Sequence, residues 1–387
     1  MPRPDQKSNL QSPTSKLKIA LVHDWFNQTI GGAERVALEL ADMFPEAPIY
    51  TLIFNQTKFA SLLNLKRIHT ASLTRLAGWL KRRPRYLLPR IPKAVASFNF
   101  DAFDIVVSSS SAFVKNIRHS PQTFHICYCH TPMRFAWDYG PHYLAEQRLD
   151  PLRRAYVKRL VTKIRQWDLQ GSQGVDLWLA NSRTVAARIK KFYGQSAQVV
   201  YPPVDTATFQ PLPSRQKQAF YITLGTLTPY KKIDLVITAC NLTNRPLVVV
   251  GEGPEKSRLQ KLAAGTIKFT GYVDATKKRK LLAQARALIF PSEEDFGIAP
   301  IEAMASGTPV VAYRKGGLTE TVIDQRTGIF FDRQTPQALN EALDAFEQMT
   351  FMPADLTRQA RLFDRSVFRR QIAGIVDQVA AHHVKTN

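Results

Sequence analysis

Short apolar runs, most of them rich in Val, Ile, Phe and Tyr, alternate along this chain with longer stretches in which apolar residues recur at helical spacing. In the first half the runs are KIALVHDW, PIYTLIF, FDIVVSSS, FHICYCH, DLWLANS and QVVYPP. In the second half they are FYITLGT, PLVVVGEG, IKFTGYV, ALIFPS, PVVAY and GIFFD. Helical patterns such as 34–43, 184–193 and 234–239 lie between them. Strands that alternate with helices predict βαβ units and parallel sheets. Strands that are apolar almost throughout predict sheets covered on both faces.

The segment PPVDTATFQPLPSRQKQ, 202–218, interrupts the alternation with four prolines, and a domain boundary is expected there. The chain, at 387 residues and 44% hydrophobic, is long enough for two cores. The expected division is a disordered tail at 1–17, one α/β domain at 18–205 and a second at 206–365. Doubly wound sheets bind ligands at the carboxyl ends of their strands, so a shared site is expected in a cleft between the domains. Cys127, Cys129 and Cys240 are too few for a disulfide scaffold and lack metal-ligand spacing; they read as reduced structural thiols. The polar N-terminus has no apolar core of a signal peptide, and no window reaches the length of a membrane span.

Charge changes the picture further. The chain carries 53 Lys and Arg against 31 Asp and Glu, a net +22. Between Glu46 and Asp101 there is no acid at all but ten basic residues. Such a surface selects polyanions: nucleic acid, anionic lipid or phosphorylated substrates. Within LTRLAGWLKRRPRYLLPRIPK, residues Leu73, Leu76, Trp79, Leu80, Tyr86, Leu87 and Leu88 interleave with Arg75, Lys81, Arg82, Arg83, Arg85 and Arg90. A second cluster, PLRRAYVKRLVTKIRQW, adds Arg153, Arg154, Lys158, Arg159, Lys163 and Arg165. Leucine and aromatic side chains that enter a headgroup boundary while arginines reach phosphates would dock a peripheral protein on an anionic membrane surface. The competing reading is a set of solvated helix faces with core-facing leucines. No nucleic-acid motif accompanies the basic stretches.

Four stretches carry candidate chemistry. Gly31 and Gly32 precede a helix, where backbone N–H groups and the helix dipole suit a phosphate, or simply make a βα turn that needs glycine. His130 ends a strand in YCHTPMRFAWD, with Arg134 four residues on. Lys231 precedes a helix in GTLTPYKKIDL, a place for a phosphate clamp or a solvated lysine. In FPSEEDFGIAPIEAMASGTPVVAY, Glu294 falls in a strand-to-helix loop and Glu302 near the helix start, eight residues apart. Carboxylates accept from hydroxyl pairs, and the N–H groups around Phe296, Gly297 and Ile298 face a phosphate in this reading; the alternative is dipole-stabilising and solvated acids. Asp295-Phe296-Gly297 matches a kinase triplet, but no Gly-rich loop with a following strand lysine and no H-R-D-x-x-x-x-N accompanies it.

Together GGAERV, YCHTPMRFAWD, LANSRTVAARIKKFYG, VYPPVDTATF, LTPYKKIDL, GEGPE, FTGYV and EEDFGIAPIEAMASGTPVVAYRKGG resemble, in order and over about residues 18–335, the retaining family 4 glycosyltransferases of the GT-B fold. VHDW, YCHTPMR and EDFGI are most similar to the branch with bacterial mannosyltransferases of surface-polysaccharide assembly. The resemblance implies two Rossmann-like doubly wound domains facing across a cleft, with a last helix at 366–387 crossing back to the first. It implies that Glu302 holds the ribose of a nucleotide-sugar donor. Glu294 would hold hydroxyls of the donor sugar with N–H groups near Phe296 and Gly297, and Lys231 would neutralise the departing diphosphate. Gly32 would admit that diphosphate, and His130 would lie beside the sugar.

The family's usual arginine, five residues before its lysine, is Thr226 here, so Lys232 is the candidate to compensate; Arg134 is a candidate acceptor contact. No D-x-D triplet occurs, and enzymes of this fold generally need neither metal nor other cofactor. The implied reaction moves a hexose, mannose from GDP-mannose or alternatively glucose or N-acetylglucosamine from UDP, to a lipid-linked glycan at the cytoplasmic face of the membrane. A basic nucleic-acid-binding protein is the alternative of a different class.

Overall fold

The computed structural model describes residues 17–27, 30–75, 84–138, 150–213 and 218–386. The expected tail at 1–17 lies, but for Leu17, outside them. The chain forms two units. The first runs to Ala180 and adds Val185–Val200 and the residues from Arg369 onward; the second comprises Asn181–Thr184 and Tyr201–Phe368.

The first unit is built on a parallel sheet of seven strands: β1 (Ile19–Phe26), β2 (Ile49–Phe54), β3 (Ile68–Thr70), β4 (Ile105–Ser110), β5 (Phe124–Cys129), β6 (Leu177–Ala180) and β7 (Ala197–Val199). Their order is β3-β2-β1-β4-β5-β6-β7. Every residue of β4 is buried, as is all of β5 after Phe124, so both faces are covered. The alternation missed only β3, a three-residue edge strand with an exposed His-Thr end and no apolar run to announce it. The second unit repeats the plan with six parallel strands: β8 (Tyr221–Leu224), β9 (Leu247–Val250), β10 (Ile267–Gly271), β11 (Leu288–Phe290), β12 (Val310–Tyr313) and β13 (Gly328–Phe331), in the order β10-β9-β8-β11-β12-β13.

Helices cover these sheets through apolar stripes. Helix Pro336–Glu347 buries Ala338, Leu339, Ala342, Leu343 and Phe346, a three-to-four residue repeat. Thr335 caps it by accepting from the Ala338 N–H at 3.2 Å, and Pro336 supplies the fixed φ at its first position. Leu339 and Leu343 are fully buried, each worth about 1.5–3 kcal/mol of apolar transfer.

The proline-rich segment packs within the second unit. Val204 and Phe209 are buried, and Val204 exchanges backbone bonds with Phe363 and Arg365 at 3.1 and 2.9 Å. The last helix, Arg365–Thr386, enters the first unit from Arg369 onward, burying Ile372, Ile375, Val376 and Ala380. Arg369 there bonds Glu39 and Asp42 on helix Gly32–Met43.

In each unit the strand order reverses once, between β1 and β4 and between β8 and β11. Loops leaving the carboxyl ends of two such strands diverge to opposite faces and leave a crevice. All three cysteines are buried and free, and burial pushes the Cys127 and Cys240 thiols up to about 12. They are inert packing groups.

Candidate active site

The reversal between β8 and β11 holds the expected acid and base together. β8 is followed by the tight turn Pro229–Lys231, and β11 by the loop that carries Glu294. Lys231 Nζ lies 2.7 Å from Glu294 Oε1, and Ser292 Oγ donates to the same oxygen at 3.2 Å. The two charged side chains are only 16% and 19% exposed, so solvent screens the pair weakly. Lys231 Nζ also sits over the rings of Tyr230 and Phe290, at 5.2 and 5.7 Å. Burial by itself would lower the Lys231 pKa, but the charge and hydrogen bond of Glu294, with help from Tyr230, raise it above the ordinary lysine value. The ammonium is therefore fully charged at neutral pH.

Two glycines give the β11 loop its shape. Gly297 adopts φ 87° at the head of helix Ile298–Ala305, a conformation closed to most side chains. Gly316, at φ 66°, brings its backbone so close that an added Cβ would meet the Glu294 carbonyl at 2.2 Å, and the Gly317 N–H donates to that carbonyl at 2.8 Å. The loop is thus fastened from behind, and Glu294 is fixed before any ligand arrives. Phe296 turns its ring inward, between Tyr201 and Phe363, both 5.6 Å away. That is the structural use of the Phe in the kinase-like triplet. Helix Ile298–Ala305 is apolar on all sides and buried throughout from Pro300. Glu302 is a single carboxylate in that apolar helix, 3% exposed, and Lys278 of helix Ala275–Gln284 holds it at 2.6 Å. Lys278 lies in turn over the ring of Phe209 at 5.6 Å. Thr226 and Lys232 are exposed; Lys232 stands in the left-handed region, φ 52°, at the start of helix Ile233–Thr243.

The remaining expected residues belong to the first unit, around its own reversal. Gly31 caps helix Gly32–Met43, and its N–H donates to Glu34 Oε2 at 2.9 Å. The chain's own carboxylate thus occupies a place that suits an anion. His130 is buried and bonded through Nε2 to Ser109 Oγ at 2.8 Å. His23 Nδ1 meets the Ser109 carbonyl at 3.0 Å and its Oγ at 3.1 Å. A carbonyl only accepts, so His23 Nδ1 carries the proton in that contact, and the Ser109 hydroxyl bridges the two imidazoles. Burial, with a smaller contribution from His23, pushes the His130 pKa down to about 3. His130 is an uncharged imidazole at physiological pH.

Beside it, the Asp24 carboxylate accepts four successive backbone N–H groups, from Ser111, Ala112, Phe113 and Val114, at 2.5–2.9 Å, and so freezes the loop after β4. Next in sequence, the fully buried Lys115 meets the fully buried Asp168 at 2.5 Å. Asp168 also accepts from Trp137 Nε1 at 2.8 Å, from Tyr193 OH at 2.7 Å and from Asn116 Nδ2 at 3.3 Å. Trp137 closes the segment that begins at His130, so this network braces that segment from its far end. Arg134, in the same segment, is half-buried and has no ion-pair partner among the described residues.

Sequence reasoning missed Lys278, Ser109, Gly316 and the Asp24 clamp. Lys278 is one of four consecutive cations, 277–280, and nothing in the sequence says which of them turns to Glu302. The basic clusters need correction. Leu73, Leu87 and Leu88, expected at a membrane boundary, are 3%, 0% and 5% exposed and belong to the core. Leu76, Trp79, Leu80, Lys81, Arg82 and Arg83 lie outside the described residues, as do the side chains of Arg75, Arg85 and Tyr86. In the second cluster Arg165 faces inward, donating to the Ala136 carbonyl at 2.7 Å and lying 5.3 Å from the Trp137 ring. Arg153 reaches Asp150 at 3.2 Å. Arg154, Lys158, Arg159 and Lys163 are exposed and have no ion-pair partner among the described residues. No helix among the described residues is long and apolar enough to cross a membrane.

Comparison with known proteins agrees with this arrangement. A family model described as Glycosyltransferase Family 4 matches residues 30–208, and one described as Glycosyl transferases group 1 matches residues 204–363. A D-inositol 3-phosphate glycosyltransferase of Nocardioides is 28% identical over 54% of this chain and 55% of its own length. A GDP-mannose-dependent alpha-(1-6)-phosphatidylinositol monomannoside mannosyltransferase of Mycolicibacterium smegmatis is 31% identical over 42% of this chain and 50% of its own. The chain spans about half the length of these curated relatives. Among solved structures, HepE of Anabaena in complex with UDP superposes with a TM-score of 0.66 over 94% of this chain and 100% of that one, at 16% identity. That likeness shows the fold, GT-B with two Rossmann-like units.

Proposed function

The chain belongs to the family 4 glycosyltransferases, and from that premise we propose that it is a retaining hexosyltransferase that moves mannose from GDP-mannose to a lipid-linked glycan in surface-polysaccharide assembly. The observation that carries the reading is the Lys231–Glu294 pair, 2.7 Å apart where the strand order of the second unit reverses. A sugar nucleotide has two chemically distinct ends at its scissile bond, a polyol and a diphosphate. A fixed carboxylate beside a fixed ammonium matches both. Glu294 accepts from sugar hydroxyls, and Lys231 meets the negative charge that gathers on the diphosphate as the glycosidic bond breaks. Glu302 binds the ribose hydroxyls, with Lys278 holding its carboxylate in place. The backbone N–H groups of Phe296, Gly297 and Ile298 face the donor, and Lys232 stands in for the arginine that Thr226 replaces.

In the first unit, Gly31 and Gly32 admit the diphosphate. The neutral His130 lies beside the sugar as a hydrogen-bonding group rather than an acid, its ring held by Ser109. Arg134 contacts the acceptor. Lysine and backbone dipoles supply the electrostatic stabilisation, so the reaction needs no metal, and the departing diphosphate takes the acceptor's proton. The exposed cations of helix Pro151–Gly171 hold the protein to the anionic, cytoplasmic face of the membrane, where a lipid-linked acceptor resides.

The test is release of nucleoside diphosphate from a panel of GDP-mannose, UDP-glucose and UDP-N-acetylglucosamine, with and without chelator. Turnover of GDP-mannose in chelator is expected. Turnover of a UDP sugar alone would replace the donor, loss of activity in chelator restored by Mg²⁺ would replace the electrostatics, and neither binding nor turnover of any donor would end the reading.

A further inference from the structure

Two apolar grooves among the described residues of the first unit have the same volume, about 590 Å³ each, within the range of small-ligand sites. They differ in charge. One, lined by Ile19, Phe44 and Val376, has Glu46 and Asp377 beside its single Lys18. The other lies between helix Pro151–Gly171 and the segment 88–92, and no acid among the described residues lines it. Its apolar surface includes Leu88, Leu160, Ile164 and Trp167, and the charged residues that line it, among those described, are Arg159 and Lys163. Four residues apart on one helix, these two cations lie on the same side. Both are exposed, and neither has an ion-pair partner among the described residues.

Helix Pro151–Gly171 buries only Val161, Ile164 and Asp168 over its 21 residues. Its first half leaves Leu152 84% and Tyr156 63% exposed among Arg153, Arg154 and Lys158. Tyr156 is itself part of the groove's lining. Exposed apolar side chains set among cations, running into a groove with an apolar floor and a cationic rim, match a ligand with a hydrocarbon body and an anionic head. A free phosphate, or a peptide of acidic residues alone, leaves the apolar floor unused.

We propose that this groove binds one acyl chain of an acidic bilayer phospholipid, with the lipid phosphate on Arg159 and Lys163. Docking on such a membrane would then be more than charge attraction: one lipid is held individually. The inference deepens the membrane-surface part of the function proposed above. Its test involves neither donor nor transfer, so its failure leaves the transferase reading standing.

The experiment titrates the full chain with dihexanoyl phosphatidic acid below its micelle concentration, by calorimetry. Glycerol 3-phosphate serves as the head alone, and dihexanoyl phosphatidylcholine as the same chains under a zwitterionic head. Phosphatidic acid is expected to bind at least tenfold more tightly than either. Arg159→Ser with Lys163→Ser should remove at least tenfold of that affinity, and Tyr156→Ser several-fold. All three positions are exposed, and an unchanged melting temperature checks the fold. A bromine-labelled chain should quench tryptophan emission in the wild type, and Trp167→Phe should lose much of that quenching. Equal binding of glycerol 3-phosphate, equal binding of phosphatidylcholine, undiminished binding in the double variant or no binding at all would each overturn the proposal.

Discussion

Replacing Lys231 by Ala separates the two roles given to it. In the folded protein the ammonium is 16% exposed and its partner Glu294 19%. Breaking a fully buried pair costs about 3–5 kcal/mol, because it strands a charge. The partial exposure here and the remaining bond from Ser292 at 3.2 Å reduce that to about 1–3 kcal/mol. A domain with about 5–15 kcal/mol of stability survives such a loss, so activity stays readable. Turnover should fall further, by about 10²–10³ or about 2.7–4 kcal/mol, the usual effect of deleting a group aimed at developing charge.

A double variant with Glu294→Ala sharpens the argument. Its stability should equal or exceed that of Lys231→Ala, because the stranded carboxylate has gone. Its turnover should be lower than that of either single variant, because the two side chains serve different parts of the donor. The assays are urea unfolding for the first quantity and steady-state nucleotide release for the second. A folded Lys231→Ala protein with turnover within about twofold of wild type would refute the electrostatic role, and Lys232 would become the candidate.

Glu302→Ala should weaken nucleotide binding by about 2–4 kcal/mol, about 30- to 1,000-fold, as charge-assisted bonds to ribose are lost; calorimetry that finds unchanged affinity in a folded variant would remove the assignment. Asp168→Ala leaves Lys115 buried without its partner and deprives Trp137, Tyr193 and Asn116 of an acceptor, so unfolding free energy should drop by about 3–5 kcal/mol; a drop below about 1 kcal/mol in urea titration would contradict the network. Acid should destabilise the fold through His125 and His130, both pushed down to about 3 chiefly by burial. Between the ordinary value of about 6.5 and that value the unfolded chain binds a proton that the folded chain refuses, so stability falls as pH falls, by up to about 1.4 kcal/mol per unit for each. His125→Gln should flatten the slope between pH 6.5 and 4.5, and an unchanged slope would exclude His125 as its source. Co-sedimentation with liposomes should require anionic lipid, fall with salt and weaken when Arg154, Lys158, Arg159 and Lys163 become Ser; equal binding to neutral liposomes, or none to either, would rule out electrostatic docking.

The sequence carried the strands well because they are buried on both faces and therefore apolar almost throughout, as in LVVV and LIF. β3 escaped because an exposed edge of three residues has no such pattern. The pairing of Lys231 with Glu294 was anticipated as a shared site but not as a contact, since it depends on two loops 63 residues apart meeting where the strand order reverses. The leucines of the basic stretch misled because amphipathic spacing is the same whether the apolar side meets a membrane or a core. Leu73, Leu87 and Leu88 met the core. The Asp24 clamp was illegible: an acid at a strand end reads as solvated until four N–H groups from a segment about 90 residues away close on it.

Lys231 with Glu294, and Lys278 with Glu302, leave these four candidate site residues with their charges already cancelled in pairs. At the Lys231–Glu294 pair a ligand therefore cannot simply add itself; it has to trade places. An anion that draws Lys231 away strands the Glu294 carboxylate unless the same molecule also brings hydroxyl donors to it, and the penalty for stranding a group of this kind is about 1–3 kcal/mol. Inorganic phosphate and bare nucleotides can make half of that exchange, whereas a molecule joining polyol to diphosphate makes both halves at once. If the proposed function holds, the pairing would work as a lock with two wards, and it would screen the abundant phosphates of a cell against a molecule that turns both.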